Sequence, residues 1–193
     1  MKFIEKRVGN TICIKPVQKL KVFIMSDIHS PFEDPVAMSL AKILYQETKP
    51  DITILNGDFT DCVGISFFPK PPKRRALFAE EVQEDRRRLE KLRAWGGGRW
   101  IYIEGNHEAW MTKYLWRQAI ELSELISIKD LLRTDDLGIT FLEHCYEPKS
   151  RDEFTAPQVK LGDYLYVAHG DGFSRAINLI NIARTLLLNL EKP

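Results

Sequence analysis

The sequence predicts an α/β domain, and two patterns carry that prediction. Short apolar runs, Val22-Phe23-Ile24-Met25, Ile52-Thr53-Ile54-Leu55, Trp100-Ile101-Tyr102-Ile103 and Tyr164-Leu165-Tyr166-Val167, have the length and composition of buried strands. Segments of helical spacing separate the first three, which is the alternation of strand-helix units. Each run is followed at once by side chains that bind metals or move protons: Asp27-Ile28-His29, Gly57-Asp58-Phe59-Thr60-Asp61, Gly105-Asn106-His107-Glu108 and His169-Gly170-Asp171. In open α/β sheets reactive groups collect beyond the carboxyl ends of the strands, so four such endings are expected to converge on one crevice.

Taken in order, Phe3 to Val8 and Thr11 to Ile14 flank Gly9-Asn10, a dipeptide suited to a two-residue turn, and predict a hairpin within residues 1–20. After the strand ending at Met25, Asp34 is the N-cap of a helix with Pro35 in its first turn. Ala37, Leu40, Ala41 and Leu44 mark its apolar stripe, and Lys49-Pro50 closes it. Residues 62–75, with three prolines and no period, predict a loop beside the second ligand group; Phe67, Phe68 and Arg74 are candidates for a substrate-contacting rim. A charged helix is expected over 76–95, its inner stripe Phe78, Val82, Leu89 and Leu92, and Gly96-Gly97-Gly98 ends it. Trp110 to Arg117 reads as an aromatic-rich helix whose main task is packing, with a side chain or two over the active site as the lesser reading. Residues 119–137 read as an amphipathic helix, Ile139 to His144 as a strand, 146–157 as a loop, and Gly162-Asp163 as the turn of a second hairpin. Ser174 would cap a last helix carrying Ile177, Ile180, Leu186, Leu187 and Leu190.

The chain of 193 residues suits one domain. Twenty-eight basic against 27 acidic residues leave no global field that would favour nucleic acid or an anionic membrane. No apolar stretch has the length of a membrane span, the first residues lack the core of a signal peptide, and three widely spaced cysteines fit no disulfide framework. A cytoplasmic location is the expectation. Arg86-Arg87-Arg88 lies within the charged helix, where Glu84 four residues before Arg88 makes a salt-bridged solvent face the better reading than a nucleic-acid patch.

Asp27 and His29, two apart at a strand end, point the same way, and an Asp oxygen beside a His nitrogen suits a divalent cation such as Mn, Fe, Ni or Zn. The ordered set Asp-x-His, Gly-Asp-x-x-Asp, Gly-Asn-His-Glu and His-Gly, spanning Asp27 to Asp171, resembles the calcineurin-like metallophosphoesterases. That resemblance implies a fold of two mixed β-sheets flanked by helices. It implies two divalent metal ions, one held by Asp27 and His29, the other by Asn106 and His169, with Asp58 shared. His107 would be the acid, oriented by Glu108, and Asp61 would orient a ligand. The implied reaction is hydrolysis of a phosphomonoester or phosphodiester by hydroxide activated between the two metals. His144 is left as an ordinary polar strand residue.

The family pattern ends in Gly-His-x-His, one strand beyond the final helix, and that motif is absent up to Pro193. The resemblance therefore implies a C-terminally incomplete chain or one with two open coordination positions, with an uncovered strand edge and a tendency to self-associate. Two rival readings remain at this level: a catalytically weak relative acting as a binding module, resting on the missing motif, and a nuclease, resting on the basic runs at 73–75 and 86–88.

Overall fold

The computed structural model of the protein describes residues 2–68, 77–144 and 156–170. Arg74, Cys145 and the helix expected over 174–193 lie outside the described residues. Two four-stranded sheets face each other. The first contains β1 (Phe3–Val8), β2 (Thr11–Pro16), β7 (Gln158–Leu161) and β8 (Leu165–Ala168), in the order β1-β2-β7-β8. β1/β2 and β7/β8 are antiparallel hairpins, joined by a parallel β2/β7 pairing in which Thr11 lies opposite Gln158. The N-terminal hairpin is thus half of a sheet that the chain completes only near residue 160.

The second sheet holds β3 (Val22–Met25), β4 (Ile52–Asn56), β5 (Arg99–Ile103) and β6 (Ile139–Leu142), all parallel and in sequence order. Its strands are apolar on both faces because both are covered. Ile52, Ile54, Ile101, Ile103 and Leu142 meet Ile12, Ile14, Val159 and Val167 of the first sheet. The opposite face, with Leu55, Trp100, Tyr102 and Phe141, is covered by helices α1 (Pro35–Thr48), α2 (Phe78–Arg93), α3 (Ala109–Gln118) and α4 (Ile128–Leu132). The architecture is mixed α/β with two sheets and helices packed against them. Among the described residues no helix is long and apolar enough to cross a membrane.

Three local expectations are corrected. β3 is an edge strand rather than a fully buried one: Phe23 and Met25 pack under the helices and Val22 toward the other sheet, but Ile24 is 44% exposed. α1 starts where expected, with the Asp34 carboxylate accepting from the amides of Val36 and Ala37, but it is rotated from the expected stripe. Leu40 and Leu44 are exposed, whereas Tyr45 is buried and Met38 packs inward. An aromatic cluster decides the rotation. Tyr45 packs edge-on against Phe23 and Trp95 and lies beside Trp100, and its hydroxyl donates to the Gly97 carbonyl and accepts from Thr53. Burying one aromatic body with its hydroxyl satisfied outweighs two leucines on a helix that is apolar on more than one side. Finally, residues 119–137 are not one helix. A 3-10 turn at Ile120–Leu122 precedes α4, which Ser127 caps through the Asp130 amide and which ends at Arg133 in the left-handed region.

Candidate functional site

The carboxyl ends of β3, β4, β5 and β8 meet at one place. Asp27 and His29 follow β3, Asp58 and Asp61 follow β4, Asn106 and His107 follow β5, and His169 follows β8. Their backbones are tied directly: Asp27 N–H donates to Gly57 O (3.1 Å), His29 N–H to Asp58 O (2.9 Å) and His107 N–H to the Asp58 carboxylate (3.0 Å).

Asp58, 3% exposed, is the centre. Its Oδ2 lies 3.3 Å from His169 Nε2, 3.8 Å from His107 Nε2 and 4.0 Å from His29 Nε2. Each ring is fixed from its far side. His169 Nδ1 is 2.8 Å from the Asn56 carbonyl, His107 Nδ1 is 2.7 Å from the Asp61 carbonyl, and His29 Nδ1 is 3.0 Å from the Asp61 carboxylate. These acceptors assign the proton to each Nδ1, so all three Nε2 atoms turn toward Asp58, as ring nitrogens do when they are to ligate or exchange a proton. Asn106 Oδ1 lies 3.2 Å from His169 Nε2. Potential ligand atoms of Asp27, His29 and Asp58 fall within 4.8 Å of one another, and so do those of His29, Asp61 and His107.

Burial pushes the Asp58 carboxyl upward, but the His169 ring beside it and the hydrogen bond from the His107 amide outweigh it and leave the group below its ordinary value. It is therefore an anion at neutral pH. Asp27, His29 and Asp58 all have left-handed backbone, with φ of 55°, 50° and 51°. Non-glycine residues rarely accept that conformation, at a cost of roughly 1 kcal/mol or more each, and such strain concentrates at functional sites. Two glycines let the loops approach: a Cβ on Gly57 would overlap the His169 ring, and one on Gly105 would overlap the Asp58 carboxylate.

The residues present fit a divalent metal. Carboxylate oxygens, an amide oxygen and imidazole Nε2 atoms with Nδ1 held behind them form a mixed N/O donor set suited to first-row transition ions.

Glu108 departs from the expectation that it orients His107. No hydrogen bond or ion pair joins the two. Fully buried, the Glu108 carboxylate accepts five hydrogen bonds: Oε2 from the amides of Asp58 (3.0 Å) and Gly105 (2.8 Å), Oε1 from those of Phe59 (2.8 Å) and Thr60 (3.1 Å) and from the Tyr102 hydroxyl (2.6 Å). Its oxygens are saturated, so it clamps the 58–60 loop to the 105–108 loop while the Asp61 carbonyl sets the His107 ring. Burial, with the neighbouring Asp58 charge, raises its pKa against the pull of those donors.

Sequence reasoning missed Asn56. Its carbonyl receives His169 and lies 2.9 Å from Ser26 Oγ, and its amide donates to Ala168 O, so it joins the ends of β3, β4 and β8. An Asn closing the apolar run Ile52-Thr53-Ile54-Leu55 was the available signal. The reach of Trp110 was also understated, because its ring stacks on His107 with centroids 3.9 Å apart and planes 28° apart. Phe67 and Phe68 stand at the rim, 46% and 67% exposed. His144 pairs with buried Glu104 at 2.9 Å beyond the ends of β5 and β6.

Below this site, α2 supplies two buried acids. Glu81 accepts from the amides of Val63 and Gly64 at 3.2 Å, and Asp85 lies beside the buried hydroxyl of Ser30, next to His29. Burial pushes Asp85 up to about 8, Ser30 offsetting this only in part and Glu81 and Glu108 adding to it.

The model of the calcineurin-like phosphoesterase family matches residues 20–189 of this chain. Gene 54 protein of Mycobacterium phage D29 is 27% identical over 135 residues, which are 66% of this chain and 52% of that protein. The chain thus spans about half the length of this curated relative. No solved structure matches it.

Proposed function

Because the chain belongs to the calcineurin-like phosphoesterase family, we propose that it is a metal-dependent hydrolase of phosphomonoesters or phosphodiesters. The observation that carries this reading is the arrangement of three imidazole Nε2 atoms around the ionised Asp58 carboxylate, each ring held from behind. Asp27, His29 and Asp58 would hold one divalent cation, and Asp58, Asn106 and His169 a second. When bound, such cations supply Lewis acidity toward a phosphoryl oxygen and lower the pKa of water.

The protein's own residues do the rest. Asp58, with its carboxyl kept ionised, offers charge to both ligand sets. Asp61 fixes two rings at once, His29 through its carboxylate and His107 through its carbonyl. With Nδ1–H engaged by the Asp61 carbonyl, His107 can take a second proton only at Nε2, and the imidazolium so formed would give that proton to the departing ester oxygen, the role of a general acid. Asn106 adds an oxygen without charge, which keeps the site open to a phosphate anion. Free Cys13 and Cys62 suit a reducing cytoplasm, where we place the protein.

The test is metal content together with turnover of an aryl phosphate. Two equivalents of manganese per chain and hydrolysis that chelation abolishes are expected. Tight metal binding with no turnover of aryl mono- or diesters would instead favour the binding-module reading.

A further inference from the structure

From His107 outward, aromatic rings continue without a break to solvent. Trp110 stacks on His107, Phe68 lies 5.7 Å from Trp110 with planes 55° apart, and the Arg117 guanidinium sits 4.0 Å from the centre of the adjacent Phe67 ring. Trp110 and Arg117 are seven residues apart on α3, two helical turns, which brings both toward the 67–68 segment. Phe67 and Phe68 are exposed rings beside a reaction centre. Neither the core nor the ligand shell uses them.

We propose that this ledge stacks the base of a nucleotide-sized phosphoester, so that the substrate class is nucleoside phosphates. This rests on the phosphoesterase reading above and narrows it. Three features favour a base over a peptide side chain. The Phe68 ring is 67% exposed, and an exposed π-face suits a flat ring whose polar edge stays in water. The guanidinium at the same edge suits the anionic, polar character of a nucleotide. The ledge also starts one ring beyond His107, and a nucleotide likewise sets its base apart from its phosphate by the width of a sugar. The near-balanced net charge argues for a small substrate rather than a polymer that needs a basic track.

The test compares AMP with ribose 5-phosphate, which is the same ester without the base. On chelator-treated protein of residues 1–193, titration calorimetry should show AMP bound about tenfold more tightly, the range expected for stacking of one base. With manganese added, kcat/KM should show a similar preference. Phe68→Ala should bring both ratios close to one, and Phe68→Tyr should keep them. A wild-type binding ratio below about twofold, or Phe68→Ala weakening both ligands in proportion, would overturn the proposal. If manganese-dependent phosphate release from both compounds and from aryl phosphates is absent while the binding ratio and its loss in Phe68→Ala are found, the ledge stands and the phosphoesterase reading fails.

Discussion

Replacing Glu108 by Gln isolates the clamp that the structure finds in place of the expected His107 partner. A Gln side chain keeps one acceptor oxygen and presents an NH2 group where the other stood. If the NH2 takes the Oε2 position, the amides of Asp58 and Gly105 lose their acceptor; if it takes the Oε1 position, those of Phe59 and Thr60 do, while the Tyr102 hydroxyl can turn to accept. Either way two buried N–H groups face a donor. Each unsatisfied buried donor costs about 1–3 kcal/mol, so the gross loss is about 2–6 kcal/mol. Removing a buried carboxylate close to Asp58 returns part of this, and a net loss of about 3 kcal/mol is expected, against a total stability on the order of 5–15 kcal/mol.

Urea unfolding followed by circular dichroism on chelator-treated protein measures this with metal out of the balance. The midpoint should fall with no change of slope, and His107→Ala measured alongside should lose far less. A Glu108→Gln protein within about 0.5 kcal/mol of wild type would refute the argument that this carboxylate holds the two loops together.

Asp58→Asn should cost more metal affinity than any other single substitution, because in the proposed site that residue alone would serve both ligand sets; two metals retained per chain, by elemental analysis, would remove the bridging role. His107→Ala should bind metal normally yet slow esters of poor leaving groups more than those of good ones. Equal slowing across a leaving-group series would exclude it as the acid. Asp85, with its native pKa raised from 3.8 to about 8, favours the folded state while protonated, so its contribution is present at low pH and is lost as pH rises through about 8. Asp85→Asn should therefore gain stability relative to wild type between pH 5 and 9, by several kcal/mol at most at about 1.4 kcal/mol per pH unit. Urea midpoints whose difference does not move in that direction would refute the buried, protonated assignment.

What was legible in the sequence was local. Four strands announced themselves as short apolar runs, and the candidate site residues follow them within four residues, so Asp27, His29, Asp58, Asn106, His107 and His169 could be named and are gathered in one place. Asp61 was named as an orienter and its carboxylate meets His29, but the role of Glu108 and the hold of the Asp61 carbonyl on His107 were not legible, because they depend on where backbone amides and carbonyls end up: Glu108 meets amides 48–50 residues away. The face of α1 was ambiguous for another reason. Val36, Ala37, Leu40, Ala41, Ile43 and Leu44 cover much of the helix circumference, so spacing alone selects no side, and the aromatic contacts of Tyr45 decide it.

The parallel pairing of β2 with β7 has a consequence for the protein while it is being made. The hairpin Phe3–Pro16 emerges from the ribosome first, but its partner strand lies 147 residues later, as the Thr11 to Gln158 contact measures. At roughly 5–20 residues per second, that interval is on the order of ten to thirty seconds. Throughout it β2, which carries Ile12 and Ile14, each 1% exposed in the finished fold, lacks its hydrogen-bonded neighbour β7, and a lone two-stranded hairpin is marginal in water. Nascent chains arrested before residue 158 has emerged should be cut by protease within residues 3–16, and chains arrested after residue 168 has emerged should resist.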